Sequence, residues 1–229
     1  MGGTARAHAF VADLDSPELD AADRHHLERV LRLRPGDEIT VSDGWGGWRT
    51  CGLGAALEPL GAVVREPRPS PEIAVAFALV KGERPEWTVQ KLTELGADRI
   101  VPFVAARSVV RWDGERAARQ SERLRRVARE AAMQCRRAWL PEVEEVATFD
   151  DVAGRPGAVL ADREGGPPSL PGGPVLVGPE GGWSPEELAR DLPRMALGDH
   201  VLRAETAAVA VAAMLGALRA GLVTPAAAD

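Results

Sequence analysis

The sequence predicts an α/β protein with a mostly parallel sheet, preceded by a small β-rich domain. From Ile73 onward, short apolar runs alternate with helical patterns, which is typical of a parallel sheet with helical crossovers. Before Ile73, short segments alternate apolar and polar residues between turn residues, as antiparallel strands do. We therefore predict two domains, residues 1–70 and residues 71–229.

The first domain is predicted from a hairpin pattern. Residues 38–42 alternate apolar and polar side chains, Asp43-Gly44 is a turn signal, and residues 48–53 can return antiparallel. Residues 65–71 contain three prolines, which disfavour a continuous helix or a central strand. We place the domain boundary in this segment.

The second domain begins with IAVAFALV at residues 73–80, an apolar run of the kind found in buried parallel strands. A helical pattern follows at residues 86–95 and ends at Gly96. The next predicted elements are a strand at residues 100–104, a basic helix at residues 115–139, and short buried strands at residues 159–160 and 175–177.

Two further helices are predicted near the C-terminal end. Ser184 is a good N-cap, Pro185 suits the first helical position, and Glu187 stands in capping-box register. Residues 205–219 are rich in Ala, Val and Leu, so this helix is expected to pack in an interior or a subunit interface.

Composition and charge indicate a globular cytoplasmic protein with one basic segment. Hydrophobic residues make up 45% and charged residues 27% of the 229 residues, and no segment suits a membrane span or a signal peptide. Cys51 and Cys135 stand alone, so neither a disulfide framework nor a metal site is expected. Between Lys81 and Trp139 there are 14 Lys/Arg and 8 Asp/Glu in a chain of net charge −6. This basic segment is either a solvated helix face or a nucleic-acid surface.

The sequence GPEGGWS at residues 178–184 links a buried strand to a capped helix through a glycine-rich turn. Glycine lets a ligand approach the backbone closely, and the helix start offers free N–H donors. Glycine turns are also common without any ligand, so a plain tight turn remains an alternative.

A second motif, LGDHVLRAET at residues 197–206, also runs through a loop into a helix. Glu205 and Thr206 suit a helix start and its dipole, whether or not they have a further function. The sequence offers no such structural explanation for the presence of Arg203.

Several enzyme classes are disfavoured because their motifs are absent. No G-x-G-x-x-G follows a strand, and neither lysine stands in a phosphate-binding G-K-[ST] sequence. G-x-S-x-G and H-E-x-x-H do not occur either. From the residues alone, the chain is an α/β ligand-binding protein with a basic face.

At the two glycine-containing motifs the chain resembles the SPOUT methyltransferases, specifically the family that methylates N3 of a uridine in 16S ribosomal RNA. The similarity runs from about Arg24 to Leu215 and includes KGER at residues 81–84 and EWTVQKLTELG at residues 86–96. The chain departs from the family pattern at residues 133–137, MQCRR, and at His200, where the family usually has Arg.

The resemblance implies a SPOUT trefoil-knotted domain, an exception to the rule against threaded chains, preceded by a small β-barrel PUA-like RNA-binding domain. It implies S-adenosylmethionine as cofactor, 16S ribosomal RNA of the small subunit as substrate, and a homodimer without membrane or metal. The cofactor residues it implies are Leu160, Gly178, Pro179, Glu180, Gly181, Gly182, Leu197, Gly198, Val201, Leu202 and Thr206.

Arg203 is the candidate that stabilises negative charge on the uridine imide, by the electrostatics of an oxyanion hole. Glu205 either orients Arg203, accepts the proton, or only begins the helix. The candidates for RNA phosphate contacts are Arg24, Arg29, Arg32, Arg84, Arg107 and Arg136, of which the first three suit ordinary surface positions equally well.

Two other functions stay open. A knotted methyltransferase could act on a tRNA base or ribose, because a fold does not fix the substrate. Alternatively, the chain could be a non-catalytic RNA-binding protein in which the glycine motifs are structural turns.

Overall fold

The structure, a computed structural model, describes residues 5–112 and 114–224. Its internal contacts separate two units. The first unit comprises the chain up to Arg68 together with Arg129–Leu140, and the second comprises Pro69–Ala128 and the chain from Pro141 onward. The boundary at residue 70 stays a prediction, and residues 129–140, which lie within the predicted second domain, have their contacts in the first unit.

The first unit contains a five-stranded sheet in which β1 pairs parallel with β2 and the other pairings are antiparallel. The strand order is β1-β2-β3-β4, and β5 pairs with β3. The strands are β1 (Ala7–Phe10), β2 (Glu38–Ser42), β3 (Gly47–Gly52), β4 (Glu58–Pro59) and β5 (Val64–Arg65). The predicted hairpin is therefore confirmed as β2 and β3. Closure of these strands into a barrel stays a prediction.

One short helix, α1 (Ala21–His25), lies between β1 and β2 and continues into a π-helical turn at His26–Val30. The Asp20 side chain caps α1 by accepting a hydrogen bond from the Asp23 backbone N–H. The Leu27 side chain of the π-helical turn is fully buried in the core of this unit.

Residues 138–140 are held against the hairpin turn, which explains their place in the first unit. The Ala138 carbonyl accepts hydrogen bonds from the Ser42 hydroxyl at 2.9 Å and from the Gly46 N–H at 3.1 Å. The Leu140 N–H donates to the Gly44 carbonyl at 3.0 Å. These contacts join residues almost a hundred positions apart, so no local sequence pattern reports them.

His8 is a buried titratable residue in the same unit. Its Nε2 lies 3.2 Å from the Arg137 carbonyl oxygen and its Nδ1 lies 2.8 Å from the Thr40 hydroxyl. Because a carbonyl oxygen only accepts, Nε2 carries the proton and Nδ1 accepts from Thr40. Burial lowers the pKa of His8 to about 4.

We expect this histidine to make the protein less stable in acid. Below pH 6.5 the unfolded chain protonates His8 whereas the folded chain stays neutral to about pH 4, so the unfolded state binds more protons in this window. The free energy of unfolding should therefore fall by about 3 kcal/mol as the pH drops through it. Urea unfolding at several pH values, with His8→Gln as comparison, measures this. Equal pH dependence in both proteins would contradict it.

The second unit contains a seven-stranded sheet in which all described pairings are parallel, as predicted. The order is β12-β10-β11-β6-β7-β8, and β9 pairs with β7. The strands are β6 (Ala74–Ala78), β7 (Arg99–Val104), β8 (Glu142–Val143), β9 (Ala147–Thr148), β10 (Val159–Gly166), β11 (Val175–Val177) and β12 (Arg194–Met195). The trefoil knot that the resemblance implies stays a prediction.

The helices of this part of the chain include the four predicted ones, in the predicted order, and a short helix at residues 149–153 that was not predicted. They are α2 (Arg84–Glu94), α3 (Gly114–Gln134), α4 (Phe149–Ala153), α5 (Pro185–Leu188) and α6 (Ala204–Arg219). Helix α3 ends five residues before the predicted residue 139, because Arg136 has a left-handed backbone with φ of 58°. None of the described helices is long and apolar enough to cross a bilayer.

Helices α2 and α6 lie side by side and run in the same direction. At their C-terminal ends, the Arg219 guanidinium donates to the Gly96 carbonyl at 2.8 Å, and a Cβ on Gly216 would lie 3.1 Å from the Leu95 carbonyl oxygen. At their N-terminal ends, Arg84 Nη1 lies 3.9 Å from Glu205 Oε2. The buried faces of both helices share one hydrophobic core. This packing brings the start of α6 close to the start of α2.

Candidate active site

A cavity of about 830 Å³ lies in the second unit. Its walls come from the later part of β10, from the segment after β11, and from the segment that runs from β12 into α6. In open α/β sheets, ligands bind at the carboxyl ends of the strands, where these segments lie. All residues that line the cavity fall between Ala161 and Ala207.

The glycine-rich loop (residues 178–182) forms one wall. The loop follows β11 directly, and the Gly182 N–H closes a turn by donating to the Pro179 carbonyl at 2.9 Å. Gly182 has φ of +68°, a conformation that favours glycine. Ser184 then begins α5 in a capping box with Glu187, as predicted.

Trp183 fills the space beneath the glycine-rich loop. Its ring stacks on Phe103 with centroids 6.3 Å apart and planes 10° apart, and its Nε1 donates to the Ala161 carbonyl at 3.1 Å. A Cβ on Gly178 would lie 3.1 Å from this ring. Glycine at position 178 therefore accommodates the Trp183 ring as well as leaving the cavity side open.

The loop after β12 forms the opposite wall. Gly198 has φ of +133°, and a Cβ there would meet no atom within 4 Å, so this glycine serves backbone conformation rather than close packing. Arg163 Nη2 donates to the Asp199 carbonyl at 3.3 Å, which ties the loop to β10. His200, the departure from the family pattern, also lines the cavity.

Most of the residues predicted to bind cofactor come together at this cavity. The lining includes Gly178, Pro179, Glu180, Gly182, Leu197, Gly198, Val201 and Leu202. Three predicted residues do not line it. Leu160 is buried in the hydrophobic core, Gly181 faces Arg107, and Thr206 is exposed on α6. The strand continues beyond Leu160, to Gly166, and the residues of this strand that line the cavity begin at Ala161.

Sequence reasoning missed the charged wall on β10. Asp162 and Glu164 line the cavity, and Arg194 lies 3.9 Å and 3.6 Å from their carboxylates. Their position could have been used to predict them, because both follow the predicted strand at residues 159–160, and ligands bind at the carboxyl ends of parallel strands. No such signal marks Arg194, because its strand has only two residues.

The two catalytic candidates, Arg203 and Glu205, stand on either side of Ala204 in the chain. Ala204 lines the cavity, whereas Arg203 and Glu205 do not. Arg203 occupies the N-cap position of α6 with an exposed side chain that makes no capping bond. Among the described residues its guanidinium has no hydrogen bond or ion pair. Glu205 is 13% exposed, and its Oε2 is buried without a hydrogen-bond partner in the described part of the chain.

The six arginines predicted to contact RNA are divided between the two units. In the first unit, Arg24 donates to the Gly54 carbonyl at 2.8 Å, Arg29 and Arg32 are exposed, and Arg136 is half-buried. In the second unit, Arg84 and Arg107 contact the glycine-rich loop. Arg84 Nη1 lies 2.5 Å from Glu180 Oε1, and Arg107 Nη1 donates to the Gly181 carbonyl at 2.9 Å.

Comparison with protein families gives two matches. The model of the RNA methyltransferase domain matches residues 66–216, and that of the RNA methyltransferase PUA domain matches residues 19–56. These matches confirm the predicted order of a PUA-like domain followed by a methyltransferase domain.

Two relatives of this chain carry the same name. Ribosomal RNA small subunit methyltransferase E of Bacillus subtilis is 35% identical over 211 residues, covering 80% of this chain and 82% of the relative. The protein of the same name from Mycobacterium tuberculosis is 34% identical over 227 residues, covering 87% and 86%.

Two solved structures are similar over nearly the whole chain. Ribosomal RNA small subunit methyltransferase E of Neisseria gonorrhoeae bound to S-adenosyl methionine has a TM-score of 0.80 at 28% identity, covering 93% of this chain and 97% of that one. A probable rRNA-methyltransferase from Porphyromonas gingivalis has a TM-score of 0.78 at 26% identity, covering 95% and 100%. On this evidence, the chain belongs to the ribosomal RNA small subunit methyltransferase E family.

Proposed function

We propose that the protein transfers the methyl group of S-adenosylmethionine to N3 of a uridine in 16S ribosomal RNA of the small ribosomal subunit. The observation that carries the proposal is family membership over at least 80% of the chain, combined with a cavity that both glycine-containing motifs line. The protein would act in the cytoplasm, where ribosomal subunits are assembled.

The cavity residues fit this cofactor. A volume of about 830 Å³ lies within the range of small-molecule sites. Leu188, Leu197 and Leu202 provide apolar wall for an adenine ring, and the open side of Gly198 leaves room beside the backbone. Asp199, whose carboxylate has no ion pair among the described residues, provides negative charge that suits a cationic sulfonium.

Bound S-adenosylmethionine supplies an electrophilic methyl group on a sulfonium that is already a good leaving group. The chain must therefore align the base, exclude water and accept the N3 proton. The Arg203 guanidinium, unpaired among the described residues, is available to stabilise negative charge on the uridine imide. The Glu205 carboxylate, whose Oε2 has no described hydrogen-bond partner, is the proposed acceptor of the N3 proton.

We further propose that the PUA-like domain holds the RNA through arginine contacts to phosphate and that the protein is a homodimer. Arg29 and Arg32 are exposed, as phosphate contacts require. Val201, at the rim of the cavity, is 78% exposed, and α6 is predominantly apolar, so a second copy of the chain is a suitable cover for this region.

The test is transfer of a tritiated methyl group from S-adenosylmethionine to small ribosomal subunits from cells that lack this protein, followed by mass spectrometry of the nucleosides. We expect 3-methyluridine to appear. Cofactor binding without methyl incorporation into these subunits would indicate that the substrate is another RNA, such as tRNA. Absence of both would favour a non-catalytic RNA-binding protein.

A further inference from the structure

We propose that Arg84 and Arg107 are positioning residues that hold the glycine-rich loop in its cofactor-binding conformation, and that they do so instead of contacting RNA phosphates. This inference deepens the proposed function and rests on it. Both arginines stand in segments that resemble the rRNA methyltransferase family, and both were predicted from the sequence to contact RNA.

Arg84 holds the loop through the side chain of Glu180. Its Nη1 lies 2.5 Å from Glu180 Oε1, and the two residues are 96 positions apart in the chain. The Glu180 side chain belongs to the cavity wall, so fixing it fixes part of the cofactor site. A charge-assisted hydrogen bond of this kind is stronger and more directional than one between neutral groups.

Arg107 holds the same loop through its backbone. Its Nη1 donates to the Gly181 carbonyl at 2.9 Å. The approach is tight, since a Cβ on Gly181 would lie 3.2 Å from Arg107 Cβ. The neighbouring Ala106 N–H donates to Glu187 Oε1 at 2.8 Å, so the segment that carries Arg107 is itself anchored to α5, the helix that follows the loop.

The loop is therefore fixed at three of its five residues. Trp183 packs against Gly178, Arg84 holds Glu180, and Arg107 holds Gly181. A loop that is held in its bound conformation loses less conformational freedom when the ligand binds, and this raises affinity. In this arrangement both guanidinium groups are engaged within the protein.

Arg84 also relates the loop to the candidate catalytic residues. The same Nη1 that contacts Glu180 lies 3.9 Å from Glu205 Oε2, in the first turn of α6. Because α2 and α6 pack in parallel, the position of Arg84 relative to α6 is set by their shared core. Arg84 thus fixes the cofactor wall relative to the residue proposed to accept the N3 proton.

The test uses the full chain with Arg84→Gln, Arg107→Gln and the double variant. Calorimetry with S-adenosylmethionine alone should show about fivefold weaker binding for each single variant, because a partly exposed ion pair and a single hydrogen bond to a carbonyl each contribute modestly. The double variant should bind about 25-fold more weakly if the two contacts act independently, because independent fold-changes multiply. Arg84→Lys, which keeps the charge, should recover most of the affinity, whereas loss of folded structure would not be rescued in this way.

The matched control is Arg190→Gln. Arg190 resembles Arg84 in exposure and pairing. The Arg190 side chain is 46% exposed and pairs with Asp150, and the Arg84 side chain is 43% exposed and pairs with Glu180. The control should leave the affinity for S-adenosylmethionine unchanged. Thermal unfolding of all the variants should show midpoints within a few degrees of the wild type.

The competing role in RNA binding is measured by titrating a 16S ribosomal RNA transcript at several salt concentrations. Replacing a side chain that binds one phosphate should lower the salt slope of the binding constant by about 0.7. We expect an unchanged slope in both single variants. A reduced slope, or unchanged cofactor affinity, would overturn the inference. A wild-type protein that binds no S-adenosylmethionine would instead contradict the proposed function itself.

Discussion

Arg203→Ala should lower the turnover number for RNA methylation by about 10²–10³-fold while the fold is retained. The expected loss is large because a preorganised guanidinium stabilises charge that develops only in the transition state. The fold should survive because the Arg203 side chain is exposed and does not cap α6. The change in the free energy of unfolding should therefore be within about 0.5 kcal/mol.

Single-turnover methylation of small subunits, with cofactor saturating, measures this effect. Arg190→Ala, an exposed arginine in the segment that follows α5, is the control and should methylate normally. Near-normal turnover in Arg203→Ala would exclude a catalytic role for Arg203. A variant that binds S-adenosylmethionine normally but does not methylate would support that role.

Trp183→Ala should lower the stability of the protein and should also weaken cofactor binding. The substitution removes a ring that stacks on Phe103 and packs against Gly178 beneath the glycine-rich loop. We expect the free energy of unfolding to fall by about 3 kcal/mol, at the low end for aromatic truncation because Trp183 is only partly buried. Affinity for S-adenosylmethionine should fall at least about tenfold, since the loop loses its support.

Trp183→Phe separates the ring from its hydrogen bond. Phenylalanine can keep the stacking on Phe103 but cannot donate to the Ala161 carbonyl, so its stability loss should be about 1 kcal/mol. Urea unfolding and calorimetry on the two variants measure both effects. If Trp183→Ala were as stable as Trp183→Phe and bound cofactor as the wild type does, the support role would be excluded.

Local signals explain why the sequence predicted much of this fold. The apolar run that became β6, the Gly96 that ends α2, and the Ser184 capping box each depend on a few neighbouring residues. The glycine-rich loop was found for the same reason. Such features are read correctly because the physics that forms them lies within one or two turns of chain.

Contacts between distant segments explain what the sequence did not reveal. The sequence gives no sign that Trp183 stacks on Phe103, or that Arg84 meets Glu180 rather than a phosphate. The end of α3 was placed too late because the left-handed Arg136 stands in a segment that is bonded to the distant hairpin turn. In each case a long-range contact decides between local alternatives of similar energy.

The position of the cavity in the chain sets an order of events during protein synthesis. Ribosomes extend a chain from its N-terminus at about 5–20 residues per second. The strands of the first unit and β6 to β9 all precede Ala161, the first residue of the cavity wall, whereas the last wall residue is Ala207. The growing polypeptide therefore has no complete cofactor cavity until the first turn of α6 has emerged. A chain released before β12 lacks the wall that the residues from Arg194 to Ala207 supply.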